Sequence, residues 1–134
     1  MAIDQLLYVY VLSEEDYPAN AVIVREGSKG EWIYIVLEGK VKIKKNTPKG
    51  MVTIGAFKEG DIIGEMALFE AVVADRTRTA SAIADGGPVK MGLLDTNRLL
   101  KDFESVSPQL KGLTRTLVKR LSDTTQRAVN LAMK

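Results

Sequence analysis

The chain has 134 residues, 46% of them apolar and 27% charged, a composition that suits one soluble globular domain with a single core. Its 19 Lys and Arg against 17 Asp and Glu give a net charge of +2, too balanced for a nucleic-acid arm or a polybasic membrane anchor. Cysteine and histidine are both absent, which excludes disulfides, zinc fingers, iron–sulfur clusters, His-ligated haem, Cys or Ser–His nucleophilic sites and a histidine pH switch.

The N-terminal stretch Met1 to Leu12 has no basic leader, and Asp4 and Gln5 precede its short apolar run, so no signal peptide is expected. No apolar run reaches the length of a transmembrane helix. The expected location is cytoplasmic. Leu6 to Val11 is compatible with helix or strand, and Glu14-Glu15-Asp16 after it reads as an acidic loop.

Short β-branched and aromatic runs then alternate with turn residues. Ala21–Val24, Trp32–Leu37, Val41–Lys44 and Met51–Ile54 are predicted strands, followed by Ala80–Ile83 and Val89–Leu94. Their punctuation is Glu26-Gly27-Ser28-Lys29-Gly30, Glu38-Gly39, Asn46-Thr47-Pro48-Lys49-Gly50, Glu59-Gly60-Asp61 and Asp85-Gly86-Gly87-Pro88. Such regular spacing predicts an antiparallel sandwich or barrel over about Leu6–Leu94. Tyr8, Tyr10, Tyr17 and Trp32 are read as core or edge packing, since no basic stripe runs between them as a base-stacking surface requires. Lys40, Lys42, Lys44 and Lys45 are read as a solvated sheet face.

From Thr96 the texture turns helical. Asp95 or Thr96 is a candidate N-cap for a short helix to about Phe103. Ser107-Pro108 reads as an N-cap followed by proline at the first helical position, opening a helix to about Met133. Leu110, Leu113, Leu117, Leu121, Ala128 and Leu131, with Thr124 filling a stripe position, form one narrow apolar seam. Such a helix is about 38 Å long at 1.5 Å per residue and overreaches a small sandwich, so the seam is expected to pair with a second copy as a homodimer. Lys111, Arg115 and Lys119 read as the solvent face opposite it.

The chemistry concentrates in Gly60–Ala84. Gly64 permits a backbone conformation barred to other residues. Glu65 is a carboxylate among Ile62, Ile63, Met66 and Leu68, where an unpaired charge is costly. Met66–Glu70 has helix-forming composition, so free N–H groups at its start make an anion site. Arg78 lies among small residues and has the planar fork that suits a phosphate. On these residues alone two readings stand: a buried Glu65–Arg78 ion pair, or a nucleotide site with a carboxylate for sugar hydroxyls and a guanidinium for phosphate.

The segment resembles the phosphate-binding cassette of cyclic nucleotide-binding domains: Gly-Glu-x-Ala-Leu, a variable loop, then Arg-[Ser/Thr/Ala]-Ala-[Thr/Ser]-Val-x-Ala. It stands here as Gly64-Glu65-Met66-Ala67-Leu68 and Arg78-Thr79-Ala80-Ser81-Ala82-Ile83-Ala84. Val24-Arg25-Glu26-Gly27 and Tyr34-Ile35-Val36-Leu37-Glu38-Gly39-Lys40-Val41 resemble the family's strand–turn pattern. Lys119-Arg120-Leu121, Thr124-Thr125 and Asn130-Leu131-Ala132 look like the dimer helix of the bacterial catabolite activators. The loop at 70–77 is longer than the family's and lacks its frequent Pro. Arg76-Thr77 repeats Arg78-Thr79, but only Arg78 puts Ala80, Ser81 and Ala84 in register with the pattern.

The resemblance implies one domain over 1–134: an antiparallel β-roll of jelly-roll type, a short helix over roughly 96–103 and a long dimerisation helix. It implies a sensor for a cyclic nucleotide, cAMP ahead of cGMP, that signals by reorienting the C-terminal helix. Glu65 is expected to accept from the ribose 2′-hydroxyl, and Arg78 to pair with the cyclic phosphate. The backbone N–H groups of Met66 and Ala67 and the Thr79 hydroxyl complete the phosphate contacts. Ile43 and Ile54 wall the base, which Arg120, Thr124 and Thr125 contact from the helix. No catalytic group, metal or further cofactor is expected, and neither is direct binding of nucleic acid or membrane. The activators carry a helix-turn-helix domain after the long helix and this chain stops at Lys134, so either it is a fragment or its output passes through partner proteins. The alternative is a degenerate β-roll that has lost its ligand and serves as a protein-interaction module, docking a partner through the apolar 71–76 insert.

Overall fold

The computed structural model describes residues 8–28, 32–64 and 80–132. Among the described residues, eight strands precede two helices: β1 (Val11–Tyr17), β2 (Val22–Val24), β3 (Ile33–Glu38), β4 (Val41–Thr47), β5 (Gly50–Phe57), β6 (Ile62–Ile63), β7 (Ser81–Ala84), β8 (Val89–Leu94), α1 (Thr96–Glu104) and α2 (Pro108–Ala132). The strands form two four-stranded sheets in the orders β1-β8-β3-β6 and β2-β7-β4-β5. Every pairing is antiparallel. This is the expected β-roll with two C-terminal helices.

The unbroken apolar run of β3 has a physical reason: its sheet is buried on both faces, so neither alternation position faces water. Val36, Ile63, Val89 and Met91 point between the sheets, where they meet Val41, Ala82 and Ala84 of the second sheet. Ile33, Ile35, Leu37 and Leu94 point the other way, under Tyr10, Val11 and the α1 residues Leu99 and Leu100. Adjacent Ile62 and Ile63 divide between the two clusters, as the period of two demands. Gly92 sits where β8 meets the outer cluster. A Cβ there would lie 2.9 Å from Ile35 Cγ2, so the close strand packing requires glycine.

One expectation fails: Glu14-Glu15-Asp16 is strand, not loop. β1 pairs residue by residue with β8, Glu15 opposite Met91 and Tyr17 opposite Val89. It is an edge strand, and charged residues on an edge are compatible with pairing on one side while discouraging it on the other. The Tyr17 hydroxyl donates to Glu15 at 2.6 Å. Partial burial, with that hydrogen bond, raises the phenol's pKa above its ordinary value.

The helix caps agree with the local chemistry. The Asp95 side chain accepts from the Arg98 N–H at 3.0 Å, closing the first turn of α1. Ser107 Oγ accepts from the Leu110 N–H at 3.3 Å ahead of Pro108. α1 is tied to the N-terminal segment by Tyr10 Oη donating to Asp102 at 2.5 Å and by the Arg98 guanidinium 5.3 Å over the Tyr10 ring. α2 approaches the second sheet at β5. Its seam residues Leu110, Leu113, Leu117, Leu121 and Leu131 are 47–69% exposed in the single chain, so the stripe does not lie down on the β-roll. Among the described residues no helix is long and apolar enough to cross a membrane.

Candidate functional site

The cassette residues Glu65, Met66, Ala67, Arg78 and Thr79 lie outside the described residues, as do the rival Arg76 and the rest of the 70–77 insert. The described frame fixes both ends of that segment. β6 delivers the chain to Gly64 beside β3, with Tyr34 opposite Ile63. Gly64 has φ +91°, a left-handed conformation in which a side chain is strained, so the glycine of Gly-Glu answers a backbone demand. The chain returns through Ala80 into β7, which lies in register with β4, Ser81 opposite Lys44 and Ala82 opposite Ile43.

Ile63 and Ile43 belong to the same inter-sheet cluster. The two ends of the cassette therefore open onto one apolar wall from opposite sheets. Ile43 is half-buried there, and Ile54 is half-buried on the neighbouring strand. Ile54 stands at an irregularity in the ladder, where Ile43 pairs with Gly55 while Lys44 pairs with Thr53. A β-bulge at this point re-aims the side chains next to the wall.

Arg120 and Thr124 lie one turn apart on α2, both exposed in the single chain. Thr125 belongs to the same helix.

Sequence reasoning missed Glu26. Its N–H donates to Ser81 Oγ at 2.8 Å, its Oε1 accepts from the Asn46 N–H at 2.9 Å, and its Oε2 lies 3.6 Å from Lys45 Nζ. One residue thus ties the turn after β2 to β4 and to the first residue of β7. The sequence signal was only a carboxylate in a Gly-rich turn, and its partners are 20 and 55 residues away. The lysine face of β4 is accordingly part-paired: Lys42 Nζ lies 3.7 Å from Asp85 and Lys45 reaches Glu26. A second correction concerns α2, where Lys111 and Arg115 are not simply a solvent face. Both turn back to Glu104 of α1, at 3.1 and 3.9 Å.

Two antiparallel four-stranded sheets, a positive-φ glycine after β6, a strand that returns in register with β4 and two C-terminal helices define the class as a β-roll domain. The family model "Cyclic nucleotide-binding domain" matches residues 14–104. The chain belongs to the cyclic nucleotide-binding domain family. It is 30% identical over 123 residues to a CRP-like cAMP-activated global transcriptional regulator of Mycobacterium tuberculosis, covering 90% of this chain and 52% of that protein. It therefore spans about half the length of that curated relative. Among solved structures, the cGMP-bound form of the EAL enzyme Bd1971 is similar at 29% identity and TM-score 0.70, over 88% of this chain and 30% of that one. The catabolite activator protein of Thermus thermophilus shares the fold, with TM-score 0.67 and 24% identity over 95% of this chain and 57% of that one.

Proposed function

We propose that this domain is a reversible sensor of a cyclic nucleotide, with cAMP preferred over cGMP, and that it acts by binding rather than by catalysis. The observation that carries the reading is that Ile63 and Ala82, next to the two ends of the cassette, share one inter-sheet cluster with Ile43 packed against it. Glu65 takes the ribose 2′-hydroxyl, and Arg78 takes the phosphate with the N–H groups of Met66 and Ala67 and the hydroxyl of Thr79. Ile43 and Ile54 flank the base. Arg120, Thr124 and Thr125 reach it from α2, and a threonine pair suits the exocyclic amine and ring nitrogens of adenine as acceptor and donor.

Binding shifts a population rather than making a new state. Phosphate draws the 64–78 segment inward, the base engages α2, and the helix turns. Similarity to a cAMP-activated transcriptional regulator supports the class of ligand. Calorimetric titration of the protein with cAMP and cGMP tests it. Saturable binding with cAMP tighter is the expected result, and heat of dilution alone up to millimolar ligand refutes the sensor in favour of an interaction module.

The exposed leucine stripe of α2 supports a homodimer. Leu117→Glu at the middle of the stripe places a charge at the pairing surface. Sedimentation is expected to show a dimer for the parent protein and a monomer for this variant. A parent that sediments as a monomer at high concentration removes the pairing. The cytoplasm is the compartment that suits such a sensor.

A further inference from the structure

The pivot between α1 and α2 is short, Ser105–Ser107, and one carboxylate spans it. Glu104, the last residue of α1, lies 3.1 Å from Lys111 Nζ and 3.9 Å from Arg115 Nη2. The Arg115 guanidinium also stands 5.7 Å over the ring of Phe103. Lys111 and Arg115 are one helical turn apart on the same face of α2. Lys111 is only 19% exposed, so its ammonium is held close rather than waving in solvent.

The two helices are anchored unequally. α1 is fixed to the β-roll by its buried-side leucines Leu99 and Leu100, by Tyr10 bonded to Asp102, and by Arg98 Nη1 donating to the Val9 carbonyl at 3.3 Å. α2 leaves its leucine stripe in the open. Turning α2 about the 105–107 corner moves Lys111 and Arg115 away from Glu104 while α1 stays with the sheet. We propose that Glu104, with Lys111, Arg115 and the Phe103 ring, forms an ionic latch that sets the resting direction of α2. Its effect on nucleotide response rests on the sensor reading above. The latch itself does not.

The absence of cysteine makes the test direct. Spin labels are placed at Asn97→Cys on α1 and Lys119→Cys on α2, and the labelled protein is diluted with unlabelled chain so that only intrachain distances are read. Without nucleotide, the Glu104 protein is expected to give one narrow distance distribution at low salt. Glu104→Gln broadens or shifts it, and Glu104→Lys combined with Lys111→Glu and Arg115→Glu restores it. Glu104 is exposed, so Glu104→Gln is expected to melt with the parent. Identical distributions for Glu104 and Glu104→Gln overturn the latch. If the parent binds cAMP, Glu104→Gln is expected to change its affinity roughly two- to fivefold, the range of one surface ion-pair contact. Unchanged affinity with an altered distribution overturns the coupling of latch to ligand. A parent that binds no nucleotide overturns the sensor reading and leaves the distance result to decide the latch.

Discussion

Arg78→Ala is expected to abolish measurable cAMP binding. A guanidinium that donates two parallel hydrogen bonds to a phosphate in a partly enclosed site is worth about 3 kcal/mol or more, beyond a hundredfold in affinity. The same titration on Arg76→Ala is expected to stay within about threefold of the parent, since that arginine is out of register with Ala80, Ser81 and Ala84. Both variants should melt with the parent, because the described core lies elsewhere, in Ile33, Ile35, Val36, Val41, Val89, Met91 and Leu94. If Arg76→Ala loses binding and Arg78→Ala keeps it, the phosphate belongs to Arg76 and the cassette register shifts by two residues.

The second large effect is on stability, at Gly39. This residue closes the turn between β3 and β4 at φ +94°, and a Cβ built there lies 2.7 Å from the Pro88 carbonyl oxygen and 3.1 Å from Val89 Cγ2. Left-handed backbone strain alone costs about 1–2 kcal/mol for a residue with a Cβ. The contact with fixed backbone adds about 1–3 kcal/mol, because a carbonyl in a packed turn cannot swing aside as a flexible side chain can. Gly86 supplies the control: its φ is +76°, but nothing lies within 4 Å of an added Cβ. Urea denaturation should show Gly39→Ala losing clearly more stability than Gly86→Ala. Equal losses would mean that the 88–89 turn yields freely and that strain is the whole effect.

What could be read in the sequence was local chemistry. Asp95 and Ser107-Pro108 announced both helix starts because a cap is made within four residues of itself. The strands β3 and β8 announced themselves through short apolar runs that feed both core clusters. β1 escaped because an edge strand tolerates charge, so Glu14 and Asp16 looked like loop. Glu26 and Glu104 escaped for a different reason. Each makes bonds decided by where another element comes to rest, Glu26 with Asn46 and Ser81, Glu104 with side chains beyond a corner. Ile43, Ile54 and Gly64 were named through the family pattern; Ile43 packs against the inter-sheet cluster, Ile54 is half-buried on β5 and Gly64 has φ +91°, and their part in holding a ligand belongs to the proposal. Glu65, Met66, Ala67, Arg78 and Thr79 rest on that pattern, since they fall outside the described residues.

The two sheets are not mechanical equals. The one built from β1, β8, β3 and β6 is gripped from either side, by its partner sheet and by α1 with the Tyr10 segment. The one built from β2, β7, β4 and β5 carries Lys42, Lys44 and Lys45 on its described strands and packs inward through Val41, Ala82 and Ala84. One sheet is thus held on two faces and the other on one, and α2 approaches the singly held sheet at β5. An element that leans on the less-gripped half of a sandwich has fewer fixed neighbours to set its direction.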